Sequence, residues 1–157
     1  MIEWDASSMA LGVRAIDAEH KHLIDFLSLA SKASMDKRKN IIDRKLLFTI
    51  RELFQKHFLH EEDLMFGIKY KAVNNHMIEH SRMLTNLDLL VRDFEECADP
   101  APAVEFVSSW IITHMHTFDA DLAVFIQKLR QIKAAKAVPP GQTIIRSSDS
   151  LRQPNDR

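Results

Sequence analysis

Apolar residues return every three or four positions along four stretches of the chain, the period of helices that bury one face. The first carries Leu23, Ile24, Leu27 and Ala30, with Asp17 ahead of it as a candidate N-cap, and fades in Met35-Asp36-Lys37-Arg38-Lys39-Asn40. The second carries Leu46, Leu47, Ile50, Leu53, Phe54, His57, Glu61 and Leu64 and stops near Gly67. A third begins around Tyr70, carries His76, His80, Leu84, Leu87, Val91 and Phe94, and ends before Asp99-Pro100-Ala101-Pro102. Pro102 suits the first turn of a fourth, which carries Val107, Trp110, Ile111, His114, Phe118, Leu122, Phe125 and Leu129. Four amphipathic helices with short connections predict an all-α fold: an antiparallel up-down-up-down four-helix bundle over 1–136. Residues 1–16 lack a sustained period and read as an N-terminal arm. From 137 to 157 the pattern collapses into Pro139-Pro140-Gly141 and Ser147-Ser148-Asp149-Ser150, read as a disordered C-terminal tail.

Composition narrows the function. The chain has 157 residues, one domain's worth, and 46% of them are hydrophobic, enough for a core. Three glycines and five prolines are too few to punctuate a β-rich fold. A formal net charge of -1 gives no footprint for nucleic acid or an anionic membrane. One cysteine, Cys97, excludes an internal disulfide framework. The opening Met1-Ile2-Glu3-Trp4-Asp5 has neither the basic nor the apolar part of a secretory signal, so a cytoplasmic protein with no membrane span is expected.

Five of the eight histidines lie on the apolar stripes: His20, His57, His76, His80 and His114. His57 and Glu61 are four residues apart, as are His76 and His80, so each pair stacks on one inward face. Burying these groups without partners would cost about 1–3 kcal/mol each, so a central metal is expected. Imidazole with carboxylate suits iron, zinc, copper or nickel. The donor set exceeds a tetrahedral zinc site, whereas two six-coordinate ions about 3.5–4 Å apart and bridged by carboxylates absorb it. Glu61 supplies one bridge, and the second should come from the fourth helix. Asp121, seven residues beyond His114, is displaced by about 10.5 Å along the axis. Asp119, five residues on, is nearer but about 140° round an ideal helix; a π-type widening would realign it. Asp119 is therefore chosen, with irregular helix geometry expected between His114 and Asp119. Leu23, Phe58, Trp110, Ile111 and Met115 neighbour these residues and would form a dry pocket. His22, His60 and His116 fall off the inward faces and are read as solvated, and Glu62 as surface or at most an acceptor behind a ligand.

With those residues in place, the sequence resembles the bacterial hemerythrins over roughly Trp4 to Leu129. The resemblance is carried by Leu11-Gly12-Val13 with Ile16-Asp17-Ala18-Glu19-His20, by His57-Phe58-Leu59-His60-Glu61-Glu62 with Met65, by His76-Met77-Ile78-Glu79-His80, and by Trp110-Ile111-Ile112-Thr113-His114 with Asp119. It implies two non-haem iron ions, bridged by Glu61, Asp119 and an oxo or hydroxo group, that bind O2 reversibly. His76, His80 and His114 would hold one iron, and His20 and His57 the other, which keeps an open position. Five histidines to two carboxylates lead to the expectation of an oxygen carrier, store or delivery protein rather than an enzyme; a monomer is expected, with a protein that accepts its O2 or exchanges electrons with it as partner. A sensor of O2, redox state or iron, or a di-iron enzyme acting on peroxide or nitric oxide, are the alternatives. Where the family commonly has proline after the tyrosine matching Tyr70, this chain has Lys71.

Overall fold

The computed structural model describes residues 2–35, 44–93 and 101–137. A short helix, α1 (Ala6–Met9), precedes three long ones, α2 (Arg14–Met35), α3 (Arg44–Gly67) and α4 (Val73–Asp93). The fourth leg is α5 (Ala101–His114), a π-helical turn (Met115–Asp119) and α6 (Ala120–Ala137) in unbroken succession. The described residues thus form the four helical legs that the hydrophobic period predicts. No described helix is long and apolar enough to cross a membrane. Phe94, Cys97, the Asp36-to-Lys39 run and the expected tail from 138 onward lie outside the described residues.

Successive legs meet the same layers in opposite chain order, as antiparallel neighbours must. One apolar cluster takes Leu23, Ile24 and Leu27 from α2, Ile50, Phe54 and Phe58 from α3, Met83 and Leu87 from α4, and Val107 and Ile111 from α5. A second takes Val13 and Ile16, Met65, Tyr70, and Leu122 with Ile126. On every leg the inward histidines and acids fall between the residues of these two clusters. The bundle therefore carries one polar layer enclosed by two apolar ones.

Asp17 is not the N-cap that its position suggests. The helix already starts at Arg14, and the Asp17 carboxylate turns back to accept from the amides of Leu11 at 2.7 Å and Gly12 at 3.1 Å. That pins the arm, whose Gly12 adopts φ 77°, a left-handed conformation that glycine takes without cost. Gln127 and Arg130 donate to the carbonyls of Leu11 and Gly12 at 3.3 and 3.1 Å, tying the arm to α6. Within the arm, Asp5 caps the four-residue α1, too short to show a period.

Helix α3 ends at Gly67, but the left-handed residue is Lys69, at φ 56°. The Tyr70 amide donates to the Met65 carbonyl at 2.9 Å and the Lys69 amide to that of Phe66 at 3.1 Å, the two bonds of a Schellman cap. Tyr70 and Met65 share the second apolar cluster, the hydrophobic contact that accompanies such caps.

Candidate metal centre

The seven side chains singled out as ligands come together in the polar layer, each at most 3% exposed. His20 comes from α2, His57 and Glu61 from α3, His76 and His80 from α4, and His114 from the end of α5. Asp119 closes the π-helical turn, where the Ala120 amide donates to the Met115 carbonyl five residues back. That one-residue widening brings Asp119 onto the face of His114, with Oδ1 3.2 Å from His114 Nε2. The irregularity expected between these two residues is present.

Two groups of donors have their ligand atoms all within 4.8 Å of one another: Glu61 with His76, His80 and His114, and Glu61 with His20, His57 and Asp119. Both carboxylates reach donors on both sides. Glu61 Oε1 lies 4.0 Å from His20 Nε2, while Oε2 lies 3.4 Å from His80 Nε2, 3.6 Å from His76 Nε2 and 3.8 Å from His57 Nε2. Asp119 Oδ2 lies 3.1 Å from His20 Nε2, and Oδ1 3.0 Å from His76 Nε2.

These close approaches do not satisfy the groups. Both Glu61 oxygens, both Asp119 oxygens, His57 Nε2 and both His20 nitrogens are buried without an aligned hydrogen bond. Buried carboxylate oxygens and imidazole nitrogens that converge without aligned hydrogen bonds call for a cation, and this donor set fits one or two metal ions. The electrostatics agree. Burial, reinforced by the Asp119 charge, pushes the Glu61 carboxyl well above its usual range. Burial would raise Asp119 too, but His114, His20 and His76 against it hold it well below. Burial, with His76 and His114 nearby, pushes His80 down to about 2, and burial likewise lowers His57, so both imidazoles keep the lone pair a metal needs.

Contacts behind the ligands fix their rings. Glu62 sits 2.9 Å from His80 Nδ1, in the acceptor role its sequence position allows at most. Phe58 stacks on His80 at 3.9 Å between centroids and 7° between planes. Trp110 and Phe118 each stack on the His114 ring, at 4.4 and 5.3 Å between centroids. Leu23, Phe58, Ile111 and Met115 are buried around the centre, and Trp110 is half-buried. His22 and His116 are exposed, though His116 Nε2 also lies 3.3 Å from the Ser8 carbonyl oxygen.

The pattern of inward faces misses Glu19. It accepts from His57 Nδ1 at 3.0 Å and pairs with His60 Nδ1 at 2.6 Å, so His60, though exposed, is not merely solvated. Burial would raise the Glu19 carboxyl, but these two imidazoles outweigh it and hold it low. A ligand histidine needs an acceptor on its other nitrogen, and that rule was the signal available.

Residues 11–126 match the family profile of the hemerythrin HHE cation-binding domain. The bacteriohemerythrin of Clostridium acetobutylicum is 26% identical over 113 residues, 67% of this chain and 86% of that protein. The hemerythrin of Themiste dyscrita is 27% identical over 116 residues, 74% of this chain and 86% of that protein. A crystal structure of wild-type hemerythrin shares the fold with a TM-score of 0.69 at 20% identity, over 76% of this chain and 93% of that one.

Proposed function

The chain belongs to the hemerythrin family, and we propose that it binds O2 reversibly at a pair of non-haem iron ions. The observation that carries this reading is the reach of both carboxylates: Glu61 lies against His20 and His57 and against His76 and His80, and Asp119 lies against His20 and against His76 and His114. That is the arrangement two bridging carboxylates need. His76, His80 and His114 would hold one ion and His20 with His57 the other, which leaves the second ion fewer protein donors and room for a small ligand. When bound, ferrous iron supplies the electrons that O2 binding draws on and takes them back on release.

The protein's own part is to hold and to exclude. Stacking by Phe58 and Trp110 keeps the His80 and His114 rings in register without adding polar groups. Leu23, Phe58, Ile111 and Met115 form a wall that keeps out the water and anions that promote oxidation of the metal. The ratio of five imidazoles to two carboxylates, with few open positions, favours holding O2 over activating it, because oxygen-activating bundles of the ferritin type are carboxylate-rich.

Anaerobically reduced, iron-loaded protein is expected to change its visible absorption when O2 is admitted and to recover the starting spectrum when O2 is removed, over repeated cycles. A spectrum indifferent to O2 removes the reading. Steady consumption of O2 or peroxide with an electron donor would make the protein an enzyme instead.

A further inference from the structure

A cleft of about 240 Å3 between α2 and α3 leads from the surface to His57. Larger surface cavities, of about 620 Å3 by Ser31 and Ser108 and about 410 Å3 by Trp4 and Leu29, touch none of the seven central residues. Leu23 and Leu53 narrow this cleft, and its rim carries Glu19, His22 and His60. These are metal-binding side chains beyond the seven of the centre.

They form a ladder of falling exposure. The His60 side chain is 51% exposed, Glu19 is 32% and His57 is 2%, and the three are joined by contacts of 2.6 and 3.0 Å. His22, one turn from Glu19, stands exposed on the same rim. A divalent ion entering a buried layer must exchange its water ligands for protein donors a few at a time, because shedding them together is prohibitively costly. Imidazole and carboxylate donors graded from water to interior allow that exchange. The rim is not a third resident site: among the described residues, the groups of three or more donors gathered within 4.8 Å are the two central ones. Ions captured here are free to move on.

We propose that this cleft is the loading port for divalent iron, with His22, His60 and Glu19 receiving the hydrated ion above His57. The inference rests on the metal-centre reading above. A port lies on the path and not in the final state, so it changes entry and exit rates equally and leaves affinity unchanged. A residue that merely supports the fold would shift affinity instead.

The test uses full-length protein stripped with a chelator, mixed with Co2+ in a stopped-flow spectrometer, and separately the release of bound Co2+ into excess chelator. A His22→Ala/His60→Ala double variant loses the rim donors, and Leu53→Trp fills the cleft while keeping them. Both should take up and release Co2+ roughly tenfold more slowly than wild type, at the low end of the gain a focusing cleft gives to association. Both should bind the same number of ions with the same affinity, and Glu105→Ala, exposed on α5 away from the cleft, should match wild type. Unchanged rates in both variants overturn the port, as does a change in affinity without matched changes in rate. A wild type that takes up no Co2+ overturns the metal-centre reading, and the port with it.

Discussion

Glu61→Ala should bind at most one metal ion per chain and lose its response to O2. In the folded chain Glu61 is the residue common to both donor groups, and its oxygens lie 3.4–4.0 Å from His20 and His57 of one group and from His76 and His80 of the other. Without it, Asp119 is the one protein carboxylate left among the seven to offset the mutual repulsion of two dications about 3.5–4 Å apart. Losing a partner behind a ligand costs about 10–100-fold in affinity, and losing the shared ligand should cost more than that for the second ion. Titration of stripped protein with Co2+ or Fe2+, followed by absorption and elemental analysis, checks the outcome. The stripped variant should be no less stable than stripped wild type. A buried carboxyl held against the Asp119 charge, its pKa pushed well up, is a burden to the unoccupied fold and alanine removes it. Two ions bound at wild-type affinity would contradict the assignment.

Phe58→Ala should lose about 3–5 kcal/mol of stability, the usual cost of emptying a packed phenyl site. Phe58 is 2% exposed, lies flat on His80, and meets Phe54 and Trp110 edge-on at 5.7 and 5.8 Å. It therefore belongs to the apolar core and to the wall of the centre at once. Denaturant unfolding of the metal-loaded variant measures the loss, and its oxygenated form should oxidise faster because water now reaches the layer. A loss below about 1 kcal/mol would mean that the ring is not packed as described.

The parts legible in the sequence are those that burial imposes on a helical period. Inward faces must repeat at 3.6 residues, so Leu27, Ile50, Leu87 and Val107 announce the legs, and a histidine on such a face announces a buried imidazole. Asp119 was legible because the axial distance rejected Asp121 and a known helical irregularity repaired its angle. The periodicity is silent about what happens sideways. Glu19 lies beside the inward face of α2, and only the packing of α3 against it shows that its carboxylate serves His57 and His60. Loop ends escaped for a related reason. Gly67 suggests a left-handed cap, yet the Schellman bonds put Lys69 there, because Tyr70 must reach Met65 in the second apolar cluster. Asp17 has an N-cap's chemistry but spends it on the arm, whose course depends on α6, over a hundred residues away.

The most direct measurement is the iron content of the purified protein together with the iron-to-iron distance from X-ray absorption. Glu61, common to both donor groups, and Asp119, 3.0–3.2 Å from His20, His76 and His114, predict two irons per chain, about 3.5–4 Å apart. A single isolated ion, or a folded protein that binds none, would contradict the account.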